Sequence, residues 1–245
     1  MSDASENLIS LNESIRRKFD AAGLMAQKIA HETNNYYGII QGYISLMEMQ
    51  LNANDKLAQM LIPIKEALHS GIQLNKRLAA FYGSTNIMGA DVDLVATVKD
   101  ACATFSRAGD LAVEVTVKEE LPPMYLDEPA VQSLLRDLCL LLKVTGTSPA
   151  ALILSRAQLD EGTIAGMVLD SQPGSYACVQ ATISLSDYDQ PEATAFMNPF
   201  AFDTGEPMSL GLASIYGILR NHEGNLDVSV DHAQLALRLY FPLQR

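Results

Sequence analysis

Tryptophan is missing from this 245-residue chain, cysteine occurs three times, and 17 Lys and Arg face 29 Asp and Glu. The resulting net charge of −12 repels phosphate, which argues against non-specific binding to nucleic acid or anionic lipid. No apolar run reaches the roughly 18 residues of a membrane span, so none is expected. Met1–Asn7 is polar and no basic segment leads into an apolar one, so a secretory signal is not expected either. Cys102, Cys139 and Cys178 lie far apart in apolar sequence. That spacing suits neither a zinc site nor a disulfide framework, and it fits buried thiols in a reducing cytoplasm. Low-complexity tracts and internal repeats are absent as well. What is there is a 48% hydrophobic chain, able to bury a core and long enough for one or two domains.

The first third carries a regular apolar period. Ile15, Phe19, Ala22, Ala26, Ile29, Thr33, Tyr36, Ile40, Tyr43 and Met47 step alternately by four and three residues, a heptad seam interrupted only by Thr33. The spacing predicts a helix over about 6–51. Asn52-Ala53-Asn54-Asp55 ends it, and Asp55 can cap the next helix. Leu57, Leu61, Ile64, Leu68, Gly71, Asn75, Leu78 and Tyr82 form a second seam, with Pro63 inside it as a point of bending. Two long helices joined tightly make an antiparallel hairpin, and two hairpins paired into a four-helix bundle cover both seams. A homodimer is therefore expected.

The stretch 83–90 breaks the period and reads as a boundary between domains 1–84 and 90–245. Beyond it, helices are expected over 94–107, 129–144 and 209–221. Strands are expected over 111–118, 151–156, 164–169 and 177–186, with a closing hairpin of 226–230 and 235–241. Grouped strands with helices between them predict an α+β class, helices covering one sheet face.

His31 lies about 200° around the helix from Ile29 and so faces away from the seam. Its context is His31-Glu32-Thr33-Asn34-Asn35, followed by Gly38-Ile39-Ile40-Gln41-Gly42-Tyr43. An exposed imidazole can act as a nucleophile through one ring nitrogen while a neighbouring carboxylate, here Glu32, takes the proton from the other. Asn35 lies one turn on along the same side, where its amide can meet a phosphoryl oxygen or an attacking water.

On these residues the chain resembles the dimerisation and histidine-phosphotransfer region of two-component sensor kinases. The match runs through His31, Glu32, Asn34, Asn35, Gly42 and Tyr43. The resemblance implies His31 as phosphoacceptor, Glu32 as its general base and Asn35 as a phosphoryl-positioning or dephosphorylation residue. Partner docking is expected at Asn34, Tyr37, Gly38 and Gln41, with Tyr37 also open to a helix–helix boundary role.

The resemblance continues into a degenerate kinase-type ATPase α/β sandwich. Leu126–Leu142 is similar to the family helix that carries two asparagines, the second holding magnesium. Asp137 and Leu141 take those places, and Leu141 offers no lone pair to a hard cation. The family's Asp-x-Gly-x-Gly turn is matched by Asp187-Tyr188-Asp189-Gln190-Pro191, without its glycines. Phe196-Met197-Asn198-Pro199-Phe200 keeps the phenylalanine segment. The Gly-x-Gly-Leu-Gly-Leu phosphate loop reads Pro207-Met208-Ser209-Leu210-Gly211-Leu212.

With the acceptor kept and the nucleotide site eroded, the chain is similar to two-domain histidine phosphotransferases of phosphorelays. These pass a phosphoryl group between receiver-domain aspartates. The resemblance implies response-regulator receivers as partners, no nucleic acid or membrane partner, no resident metal or cofactor, and any magnesium supplied by the receiver. Two other readings stay open: an ATP-dependent sensor kinase with a divergent nucleotide site, and a non-catalytic dimeric scaffold or antikinase.

Overall fold

A computed structural model describes residues 2–51, 56–82, 88–107, 112–144, 150–184, 212–231 and 234–243. In chain order the elements are α1 (Ser2–Gln50), α2 (Lys56–Tyr82), β1 (Ala90–Val92), α3 (Leu94–Arg107), β2 (Val113–Val117), β3 (Met124–Leu126), α4 (Glu128–Val144) and β4 (Ala150–Leu159). They continue with α5 (Glu161–Ala165), β5 (Gly174–Ser184), α6 (Leu212–Asn221), β6 (Asn225–Asp231) and β7 (Gln234–Pro242). The class is α+β, as the alternation of periods predicts.

The sheet runs β2-β4-β5-β7-β6, parallel only between β2 and β4. Its period-two pattern buries one face. Leu152, Ala181, Leu237 and Val228 form one rung across four strands, and Leu154, Val179, Leu239 and Leu226 form the next. These side chains are at most 1% exposed. They join α3, α4 and α6 in a common core through Val98, Leu134, Leu138 and Ile215. Asp93 opens α3 by accepting the Ala96 N–H at 3.0 Å, and Asp127 opens α4 by accepting the Ala130 N–H at 3.1 Å. His222 ties α6 to that second cap: its Nε2 accepts the Asp127 N–H at 3.0 Å, while Nδ1 lies 2.7 Å from the Ile218 carbonyl.

The structure differs from these expectations in three places. Residues 164–169 are not a strand. Asp160 accepts the Thr163 N–H at 2.8 Å and caps the short α5. The apolar Met167-Val168-Leu169 that follows is buried because it packs beside β6, Val168 N–H donating to the Leu226 carbonyl at 2.9 Å. Strands β1 and β3, which pair antiparallel, are three residues each and too short to show alternation. Third, the α1 seam is not one surface. Ile15, Phe19 and Ala26 are buried and belong to the core of the α/β part, with Leu11, Ala22 and Leu78 packed against it. Ile29, Tyr36, Ile40, Tyr43 and Met47 stand 42–65% exposed. A heptad shows which residues are apolar, not what covers them.

α1 is fastened to the α/β part by polar bonds as well. Asn12, 2% exposed, donates to the Gly166 carbonyl at 2.7 Å and to Asp227 Oδ1 at 3.1 Å, and it accepts the Val228 N–H at 3.3 Å. β6 is an edge strand, so Asn12 covers a backbone donor that the sheet itself leaves open. Phe19 meets Tyr216 with ring centroids 4.9 Å apart, and the Tyr216 hydroxyl donates to Asp20 at 2.8 Å.

The hairpin is antiparallel. Asn75 bonds to Ala30, and Lys65 pairs with Glu48 at 2.7 Å, so α2 runs down as α1 runs up. α2 continues unbroken through Pro63. The α1 positions that face α2 are Ala30, Tyr37 and Ile44, one residue after the expected seam; Ala30 and Ile44 are 2% and 6% exposed.

Candidate functional site on the first helix

The helical rise and turn place Asn35, Gly38 and Gly42 within about 40° of His31. All four are exposed. A Cβ built on Gly38 or Gly42 meets nothing within 4 Å, so the surface C-terminal to His31 is open and low. Glu32, also exposed, sits about 100° to one side. The exposed seam residues Ile29, Tyr36, Ile40 and Tyr43 lie about 120–180° from His31, on the opposite side of the helix.

The expected docking residues divide. Gly38 and Gln41 stay on the open side. Asn34 is exposed, but its Oδ1 accepts a bond from the Asn75 amide at 2.7 Å. Tyr37 is half-buried and leans on α2: a Cβ at Gly71 would stand 2.8 Å from its hydroxyl. Of its two roles, the structure places Tyr37 at the helix–helix boundary. Farther along, Gln41, Ile44, Ser45 and Glu48 of α1 meet Lys65 and His69 of α2 around a groove of about 560 Å³. It lies on the His31 side of the hairpin.

Two features were missed in the sequence. One is the groove. The other is Asn75, 2% exposed, whose amide also donates to the Ala30 carbonyl at 2.7 Å. The signal for Asn75 was present: an amide on an apolar seam is a register device in helical bundles.

In the α/β part, Asp137 and Leu141 both turn inward, 0% and 2% exposed. Residues 187–191, 196–200 and 207–211, which carry the other expected departures from the kinase pattern, lie outside the described residues. Among the described residues, no three His, Cys, Asp or Glu side chains group so as to hold a metal ion. No helix among them is long and apolar enough to cross a membrane.

No family model matches the sequence. Among solved structures, the full-length histidine kinase ShkA in complex with AMPPNP superposes with a TM-score of 0.52 at 15% identity, over 89% of this chain and 45% of ShkA. The fold is that of a histidine kinase. The chain spans less than half the length of ShkA. Two further histidine kinases are similar at lower scores. AdeS of Acinetobacter baumannii gives 0.49 at 15% identity, over 87% of this chain and 98% of AdeS. ThkA, solved in complex with the response regulator protein TrrA, gives 0.48 at 16% identity, over 94% of this chain and 64% of ThkA. In this histidine-kinase fold, α1 and α2 supply the helical hairpin, and β1 to β7 with their helices supply the ATPase-type α/β unit.

Proposed function

We propose that the protein is a histidine phosphotransferase of a two-component phosphorelay. Residues 1–84 are its dimerisation and phosphotransfer hairpin, and 90–245 its degenerate ATPase-like unit. The observation that carries the reading is the placement of His31, exposed at the head of an open face that continues through Asn35, Gly38 and Gly42. A receiver domain can approach that face from solvent. The His31 imidazole attacks the aspartyl phosphate in line, forming the N–P bond as the P–O bond to the aspartate breaks. Glu32 holds the proton on the far ring nitrogen. A second receiver's carboxylate then takes the phosphoryl group. A homodimer closes over Ile29, Tyr36, Ile40 and Tyr43.

One residue that the resemblance puts in the nucleotide site speaks against the nucleotide chemistry of a kinase. Leu141, which takes the place of the magnesium-holding asparagine, is buried among apolar side chains and has no oxygen to offer a cation. No step is therefore routed through nucleotide or metal in this chain. A second reading, the ATP-dependent sensor kinase, is favoured by the likeness to ShkA, whose structure holds AMPPNP.

The test uses receiver domains from the protein's own genome, each loaded with labelled phosphate from acetyl phosphate and mixed with the full chain without ATP. Label should reach wild type and pass to a second receiver. His31→Ala should abolish this, and Glu32→Gln should slow it by roughly 10²–10⁴-fold. Equal passage through His31→Ala would overturn the reading. Calorimetry with Mg-ATP should show no binding; micromolar affinity would establish the sensor-kinase reading instead.

A further inference from the structure

We infer that Asn75 is a positioning residue for His31, an inference that rests on the phosphotransferase reading. Asn75 carries an amide into the apolar face of α2, where it is 2% exposed. Burying an unpaired amide is costly, and here both bonds of its Nδ2 go to α1. One reaches the Ala30 carbonyl and the other Asn34 Oδ1, each at 2.7 Å. These two acceptors bracket the histidine, one residue before it and three after.

The Ala30 carbonyl is also the acceptor of the helical turn that contains His31, because an α-helix bonds each carbonyl to the N–H four residues on. A carbonyl has two lone pairs, so it serves both donors. Asn75 therefore grips the very turn on which the imidazole sits. One α2 turn away, the Tyr37 hydroxyl lies over Gly71, with no room for a Cβ. Apart from the exposed Lys65–Glu48 ion pair farther along the hairpin, the buried residues of this stretch, Ala30, Ile44 and Leu61, are apolar and non-directional. They hold the helices together without fixing their rotation. A two-pronged amide is directional: a slip of one residue breaks both bonds. Its effect is to fix where the imidazole points relative to the groove on the same side of the hairpin.

This reassigns Asn34. It serves the hairpin from within rather than docking a partner. In-line transfer between two proteins is sensitive to ångström-scale misplacement, whereas a small phosphodonor can follow the imidazole wherever it turns.

The experiment compares wild type, Asn75→Leu and Asn34→Ala. Leu keeps the volume of the buried side chain and removes both donors; Asn34→Ala removes one acceptor without touching the buried position. Each is phosphorylated by the fastest transferring receiver and, separately, by phosphoramidate. In the latter the P–N bond to ammonia breaks as the bond to His31 forms. With the receiver, Asn75→Leu should lower kcat by about tenfold or more with KM unchanged, and Asn34→Ala should lower it less. The phosphoramidate rate and the thermal midpoint should stay at wild-type values. Unchanged kcat in Asn75→Leu overturns the inference, as does a parallel fall of kcat, the phosphoramidate rate and the thermal midpoint, which marks a prop for the fold. A raised KM with normal kcat in Asn34→Ala restores its docking role and also overturns it. Wild type that takes label from neither donor overturns the phosphotransferase reading itself, an outcome separate from the other three.

Discussion

The two halves of α1 have the same heptad pattern and opposite fates. Residues 15–26 supply Ile15, Phe19 and Ala26 to the interior of the α/β part, while Ile29, Tyr36, Ile40, Tyr43 and Met47 remain exposed. The difference comes from what lies alongside. The first half runs past an edge strand with an open N–H and past the apolar α6. The second half runs past α2 alone, which covers only the stripe of Ala30, Tyr37 and Ile44. The same side-chain chemistry thus makes a permanent interior in one place and an available surface in the other.

The largest effect should come from putting charge on the exposed half. Ile29→Asp with Ile40→Asp places carboxylates where the proposed second copy packs, and buried unpaired charge is not tolerated. Light scattering should show the mass of one chain, while circular dichroism keeps the helical signal. An unchanged dimer mass would sink the proposed assembly. On the buried half, Phe19→Ala deletes a fully buried ring against Tyr216 and should cost about 3–5 kcal/mol in urea denaturation. Tyr36→Ala, measured at concentrations that keep the chain monomeric, should change stability by less than about 0.5 kcal/mol. Equal losses would erase the contrast between the halves.

Asn12→Ala should come next. It leaves the buried Val228 N–H without its acceptor, and the expected loss is about 1–3 kcal/mol. Amide exchange at Val228 should quicken with it.

The smallest expected loss among the buried contacts is that of Tyr216→Phe, about 1 kcal/mol at neutral pH, since its partner Asp20 is 47% exposed and solvent weakens the bond. Burial, and then the Asp20 carboxylate, push the Tyr216 phenol above its ordinary value of 10.0. The neutral phenol is the form the fold prefers. Its contribution is complete below pH 10 and is lost as pH rises through the elevated folded value. The Cys178 thiol behaves likewise, raised chiefly by burial from 9.0 to about 11. Stability should therefore fall on the alkaline side, and Tyr216→Phe should flatten the upper part of that fall in pH-dependent denaturation.

The long elements were legible because a period needs length to show itself. Both helices of the hairpin, α3 and α4 emerged close to their observed bounds, whereas β1 and β3 are shorter than any period. Residues 164–169 misled because Val168 and Leu169 are apolar for the sake of a loop packed beside β6. His31 and the open face after it were legible from a motif within one helix. The grip of Asn75 was not, because its partners lie 45 and 41 residues away. The fastening of Asn12, Phe19 and Asp20 was hidden for the same reason: Asn12 and Asp227 are 215 residues apart, and no local pattern joins them.

One continuous helix carries both Asn12 and His31, with no hinge between them. An α-helix advances about 100° and 1.5 Å per residue, so the 19 residues from Asn12 to His31 act as a shaft about 28 Å long with a set phase of about 100° between its ends. Torsion applied at the edge strand is delivered to the imidazole as a change of azimuth. Seven residues added between the two would lengthen the shaft by about 10 Å and turn His31 by only about 20°. One added residue would turn it by about 100°, swinging the imidazole and the open face after it away from their present direction while the α/β part stays fastened at Asn12.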